Sequence, residues 1–249
     1  MWTDLSRPII IAHRGDKTHA PENTLAAFKM AAENGADAIE FDVKLTADGR
    51  VIVLHDPTVN RTTNGIGKIS HLPFAAVKEL DAGAWFSDIF RGECIPSLDE
   101  VFETVGKRLH FNIELTNYAS PFDGLVTRVV DLVKKHGLQN QMLFSSFLAR
   151  NLQMTRSLLP EVPCGLLCMR GKLGSWGRTI SWRGDYFALH PYFTDVNPAL
   201  VYRVQAARKR VNVWTVNNEG DLKRMIGYGV DAIITDDPVL ALRLLGRNR

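Results

Sequence analysis

Short apolar runs alternate with helix-spaced apolar positions from one end of the chain to the other. The runs fall at 9–13 (IIIAH), 38–43 (AIEFDV), 109–115 (LHFNIEL), 142–146 (MLFSS), 164–168 (CGLLC), 186–190 (YFALH), 211–216 (VNVWTV) and 232–236 (AIITD). They have the length of buried strands. Between them, apolar residues recurring every three or four positions predict helices at about 23–34, 97–107, 122–136, 147–157, 171–181, 198–209, 219–228 and 237–245. Asn23 stands before TLAAFKMAAE as a cap. Ser97 precedes LDEVFETV with Glu100 three residues on, a capping-box spacing. Gly35 and Gly137 can close helices in left-handed geometry.

Strand–helix alternation implies a parallel sheet with right-handed crossovers. Eight such units in 249 residues match a (β/α)8 TIM barrel, an α/β fold. The alternative is an open doubly wound sheet, but no Gly-rich dinucleotide fingerprint follows any strand. Residues 44–108, between strand 2 and strand 3, break the alternation. They hold a hairpin, TADGRVIVLHD, turning at Asp48-Gly49. A Gly/Pro-punctuated segment follows, ending near Pro96. The expectation is one barrel domain over 1–249 with a small insertion at about 56–96, on the C-terminal side of the barrel.

Composition adds limits. At 45% hydrophobic and 23% charged, the chain has ordinary values for a soluble globular protein. A net charge of +3 and a pI of about 8.8 are too weakly basic to argue for a nucleic-acid partner. The densest basic run, Arg208-Lys209-Arg210, sits where a surface helix should end. No apolar run approaches the roughly 20 residues of a membrane span. MWTDLSRP lacks the basic flank and apolar core of a signal peptide. Cys164 and Cys168 would lie roughly 13 Å apart on one strand, beyond disulfide reach. With Cys94 they make a sparse, odd set that fits a reducing cytoplasm, and no spacing resembles a zinc site.

Barrel active sites lie at the C-terminal ends of the strands, where several chemically capable residues fall. His13 and Arg14 end strand 1. Glu40 and Asp42, two apart near the end of strand 2, share one face, and Glu114 lies near the end of strand 3. Three carboxylates without a Cys partner suit a hard divalent cation such as Mg2+ or Ca2+, which would offset their repulsion. His55 ends another apolar run, VIVLHD. Two imidazoles can supply one base and one acid near neutral pH. The planar fork of Arg14 suits phosphate.

The motifs HRG at 13–15, APENTLAAF at 20–28, IEFDVKLTADGRVIVLHD at 39–56, RTTNGIG at 61–67, NIEL at 112–115, VWTVN and GVDAIITDDP together resemble the glycerophosphodiester phosphodiesterase family. The resemblance covers nearly the whole chain in order. It implies metal-dependent hydrolysis of glycerophosphodiesters, such as glycerophosphocholine, to an alcohol and glycerol 3-phosphate. It places catalytic histidines at His13 and His55, metal ligands at Glu40, Asp42 and Glu114, and a phosphate contact at Arg14. Glu22, in the PENT motif, is either a pocket residue or a first-turn acid favouring the helix dipole. Trp214 either lines the glycerol pocket or packs in the core. Phe147 could add an apolar wall, and His190 reads as structural.

One position departs from the family. Its usual lysine two residues after the third carboxylate is Thr116 here, in IELT. An ammonium is lost, and Lys44, sharing a face with Glu40 and Asp42, is a candidate to replace it. Two alternatives stay in view: a lysophospholipase D acting on lysolipids, which a long apolar groove beside the metal would favour, and a weakly catalytic phosphodiester-binding protein, motivated by Thr116. The segment 169–183 spaces Met169, Leu173, Trp176 and Ile180 as a helix, with Arg170, Lys172, Arg178 and Arg183 between. The preferred reading is an amphipathic helix packed on the barrel. The other is peripheral contact with lipid headgroups.

Overall fold

The computed structural model describes residues 2–179 and 184–247. Eight parallel strands close on themselves: β1 (Ile9–His13), β2 (Ala38–Leu45), β4 (His110–Leu115), β5 (Met142–Ser146), β6 (Cys164–Cys168), β7 (Ala188–Pro191), β8 (Arg210–Val213) and β9 (Ala232–Thr235). β1 pairs with both β2 and β9, which completes the barrel. The ninth strand, β3 (Val51–Val53), runs antiparallel to β2 from the expected hairpin, with Gly49 at φ +77° in its turn.

Alternation along the strands sorts side chains between two environments. Ile10, Ala12, Ile39, Phe41, Val43, Phe111, Ile113, Leu115 and Phe144 face outward into one core shared with the helices. Ile9, Ile11, Ala38, Leu143, Ala232 and Ile234 form a second core with Trp2. His13, Glu40, Asp42, Glu114 and Ser145 take the inward parity near the strands' C-terminal ends. This is why IIIA stops in a histidine: the outer face stays apolar, while the inner face turns polar at the mouth.

The helices α1 (Leu25–Glu33), α3 (Leu98–Val105), α4 (Leu125–His136), α5 (Ala149–Leu158), α7 (Pro198–Ala206), α8 (Glu219–Gly227) and α9 (Pro238–Leu244) lie near their expected positions. Ser97 and Glu100 form the anticipated capping box. Gly35 and Gly137 adopt φ +83° and +66°. The cap of α1 is Thr24 instead of Asn23, because Asn23 takes φ +58° and turns its side chain to Asp42.

Between β3 and α3 the chain folds over a small core of Ile52, Leu54, Val59, Ile69, Val77, Ala82 and Ile95, and includes the short helix α2 (Phe74–Lys78). The helix expected over 171–181 differs. A 3-10 turn, Gly171–Gly174, leads into a short helix α6, Ser175–Thr179. Met169, Leu173 and Trp176 are each more than half exposed. Arg178 explains the break, since it bonds the carbonyls of Met169 and Gly171 and pairs with Asp195. Ile180 and Arg183 lie outside the described residues. Among those described, no helix is long and apolar enough to cross a membrane.

Ser97→Ala removes the hydroxyl that accepts from the Glu100 N–H. A loss of about 1 kcal/mol in unfolding free energy is expected from urea titration.

Candidate active site

A cavity of about 200 Å3 at the C-terminal mouth is lined by His13, Arg14, Glu40, His55, Asn112, Glu114, Ser145, Phe147, Leu167, Trp214, Thr215 and Ile234. Larger cavities of about 530 and 370 Å3 border the starts of the strands; among the described residues the first is lined by one carboxylate and one histidine, Asp37 and His110, and the second by no histidine.

Glu40, Asp42 and Glu114 each present an oxygen, all within 4.8 Å of one another. The register of β2 and β4 causes this, since Asp42 pairs with Glu114. Burial, then repulsion from Asp42 and Glu114, raises the Glu40 carboxyl well above its ordinary range. Burial, then Asp42, pushes Glu114 up to about 8, against the 2.6 Å hydrogen bond donated by Tyr118. Such carboxylates lose their charge unless a cation compensates it. An all-oxygen set of this size can hold a hard divalent ion.

His13 Nδ1 lies 2.6 Å from Asp236 Oδ1. A carboxylate only accepts, so Nδ1 carries the proton and Nε2 faces Glu40 Oε2 at 3.9 Å with its lone pair free. Burial lowers the His13 pKa; the Asp236 bond opposes this. Asp236 is itself fixed by Lys17 at 3.1 Å and by Asn217 at 2.8 Å. Its carboxyl is raised by burial but held below the ordinary range by His13 and Lys17. His55, on the same cavity, has Nδ1 2.6 Å from Asp56.

Arg14 and Gly15 both take left-handed backbone, φ +57° and +85°. A side chain at Gly15 would put Cβ 2.7 Å from that of Ala27, so HRG needs its glycine. The turn carries Arg14 back over the mouth, its N–H 2.7 Å from the Glu40 carbonyl. Its guanidinium donates to Glu22 at 2.8 Å and lies 3.4 Å from Asp42. Glu22 stands behind Arg14, absent from the cavity wall, and precedes the α1 cap, so no first-turn role applies. Burial favours its neutral form, but Arg61 and Arg14 hold it at about 2. Arg61 also grips Asp56. An alternating chain therefore runs from Asp42 through Arg14, Glu22, Arg61 and Asp56 to His55.

Trp214 lines the cavity, fixed by its N–H to the His190 carbonyl, with Phe147 edge-on at 5.8 Å. His190 is fully buried, bonded to Asn212, and held neutral, its pKa pushed down to about 3 by burial. Sequence reasoning missed Asp236, Arg61 and Tyr118. The first two lie within quoted motifs, TDDP and RTTNGIG; no local pattern marks Tyr118.

Three carboxylates that could hold a hard cation, flanked by two imidazoles and a guanidinium, suit hydrolysis of a phosphate ester. Comparison with known proteins is more specific. Residues 13–240 match the model of the glycerophosphoryl diester phosphodiesterase family. A glycerophosphodiester phosphodiesterase of Caldanaerobacter subterraneus is 40% identical over 240 residues, covering 96% of this chain and 98% of the relative. An Oleispira antarctica phosphodiesterase, solved with its product sn-glycerol 3-phosphate, superposes with a TM-score of 0.87 at 31% identity, covering 96% and 97%. A glycerophosphodiester phosphodiesterase from Agrobacterium tumefaciens gives 0.81 at 30%, covering 94% and 98%. The protein is a TIM-barrel phosphoric diester hydrolase. It belongs to the glycerophosphoryl diester phosphodiesterase family.

Because burial and Asp42 push the Glu114 carboxyl up to about 8, and Glu40 is raised as well, Mg2+ binding should displace protons. Apparent affinity should fall as the pH is lowered, by up to about tenfold per pH unit for each carboxyl that must release a proton. Calorimetry across pH 6–9 measures this, and Glu114→Gln should bind weakly with a flatter pH dependence.

Proposed function

We propose that this enzyme hydrolyses glycerophosphodiesters to an alcohol and glycerol 3-phosphate by two-histidine acid–base catalysis, with one divalent cation held by Glu40, Asp42 and Glu114. The observation that carries the reading is the meeting of His13, His55, Arg14 and the carboxylates around one cavity. Mg2+ or Ca2+ held there by Glu40, Asp42 and Glu114 would supply Lewis-acid polarisation of the phosphate.

His13 is the base. Its Nδ1–H is committed to Asp236, which orients Nε2, and its lowered pKa keeps it neutral. It takes the proton of a water or of the adjacent glycerol hydroxyl; a cyclic phosphate seen by phosphorus NMR would assign the hydroxyl. His55, held by Asp56, donates a proton to the leaving alkoxide. Arg14 orients the phosphate, and Trp214 with Phe147 flanks the glycerol. Glu22 holds the substrate-facing guanidinium in place.

Lys44 compensates for Thr116. Its Nζ lies 2.9 Å from Thr116 Oγ1 and 3.3 Å from the Thr116 carbonyl. Burial lowers its pKa, while Asp42 and Glu114 favour its charge. Lys44 and Thr116 open on a second cavity of about 410 Å3, lined also by Pro57 and Asn117. Glu114 and His55 of the first cavity stand two residues from Thr116 and Pro57 of the second. We assign the leaving alcohol to that side, beside the acid. An intact acid–base pair favours turnover over simple phosphodiester binding. The free cysteines support a cytoplasmic site for one barrel domain spanning the chain.

Purified protein should release glycerol 3-phosphate from glycerophosphocholine with Mg2+ or Ca2+ and not with EDTA; full activity in EDTA would remove the metal from the mechanism. His13→Ala and His55→Ala should each lower kcat by about 10²–10⁴. A p-nitrophenol leaving group needs no acid, so it should restore most of the rate to His55→Ala and little to His13→Ala. The reverse pattern would exchange the two roles.

A further inference from the structure

The inner wall of the cavity contains polar atoms that the reaction above does not use. Asn112 Oδ1, Asn112 Nδ2 and Ser145 Oγ are buried and have no hydrogen-bond partner in the protein. Asn112 is 1% exposed and Ser145 is 0% exposed, yet both line the cavity. Buried polar groups are almost always paired, and here three unpaired atoms meet one small space.

Their placement follows from the strands. Asn112 precedes Glu114 by two residues on the same face of β4, so it lies one pleat deeper, roughly 6.5 Å below the carboxylate. Ser145 is the register partner of Glu114 on β5, and Asn112 that of Glu40 on β2. Leu167, Ile234, Phe147 and Trp214 supply apolar surface around the same space. The wall therefore offers a donor and acceptor pair on an amide, a hydroxyl, and carbon surface. A short polyol has the same distribution of groups.

We propose that Asn112 and Ser145 bind the free hydroxyls of the glycerol retained in the product, and so select fully deacylated glycerophosphodiesters over lysolipids. The proposal rests on the reaction assigned above and names the determinant of its substrate class. A phosphate beside Glu114 and Arg14 places the glycerol carbons over Asn112. The hydroxyls then complete the amide and Ser145 pairings. An acyl chain on either hydroxyl removes a donor and needs room that a cavity of about 200 Å3 lacks. Pockets that enclose a drug-sized ligand are larger, about 300–1,000 Å3.

Product binding tests this without depending on the identity of the nucleophile. With Mg2+ present, calorimetry would compare sn-glycerol 3-phosphate with n-propyl phosphate, which has the same charge and carbon count and no hydroxyl. The wild type should favour glycerol 3-phosphate by about tenfold or more, one good hydrogen bond being worth up to about tenfold. Ser145→Ala and Asn112→Leu should each shrink that ratio toward one, mainly by weakening glycerol 3-phosphate. Ser145→Ala removes one atom from a packed strand, so it keeps the test decisive if Asn112→Leu fails to fold. A merely structural role would weaken both monoesters together and leave the ratio unmoved, which overturns the proposal. Equal binding of the two by the wild type also overturns it, while leaving the assigned reaction standing. Binding of neither monoester would overturn the assigned reaction and this selectivity together. Turnover of a lysophospholipid as fast as glycerophosphocholine would refute the exclusion.

Discussion

Three carboxylates that bring oxygens within 4.8 Å of one another at the largely buried end of the barrel strands repel one another strongly. The rest of the site is arranged around that repulsion. Arg14 lies against Asp42, Asn23 donates to Asp42, Tyr118 donates to Glu114, and Lys44 stands at the next inward position of β2. Even so, burial and the Asp42 charge push the Glu114 carboxyl up to about 8. The protein neighbours leave part of the charge uncompensated, which is the condition under which a divalent cation binds well.

The same charge reaches the two histidines by different routes. His13 sits on the barrel wall and is oriented by Asp236, from the far end of the chain, so the closure of β1 against β9 sets its tautomer. His55 lies outside the barrel strands and is half exposed. It is tied to the centre by alternating charges running through Asp56, Arg61, Glu22 and Arg14. Each link is short, and Glu22 is well buried, which strengthens the pairing relative to a surface ion pair. The segment after β3 is thereby coupled to the barrel mouth through polar contacts as well as through its own apolar core.

The polar face continues inward. Beside the carboxylates, Asn112 and Ser145 line the cavity wall on β4 and β5, and His190 and Asn212, on β7 and β8, bond to each other in the same interior. Gly165 makes this layer feasible, since a side chain there would meet the His190 ring at 2.2 Å. The barrel interior thus joins this polar group to an apolar cluster around Ile9, Ile11 and Leu143 nearer the starts of the strands.

Much of this was legible in the chain. Eight apolar runs alternating with helical patterns, interrupted once by the insertion after strand 2, predict a barrel, and period-two alternation alone puts Glu40 with Asp42, and Asn112 with Glu114, on single faces. Ser97 with Glu100 announced a helix start because that cap is local. The tertiary structure decided what depends on distant partners. Asn23 gave up the cap to Thr24 because its amide turns to Asp42. Met169, Leu173 and Trp176 had helical spacing but are left exposed, because Arg178 and Asp195 fold that segment into a turn. Asp236, Arg61 and Tyr118 acquired roles only through contacts 223, 39 and 4 residues away. Sequence determines which face a side chain occupies, because strand period is a property of the backbone. Only the closed barrel determines what that side chain meets there, because hydrogen-bond partners and pKa shifts come from groups brought together in space.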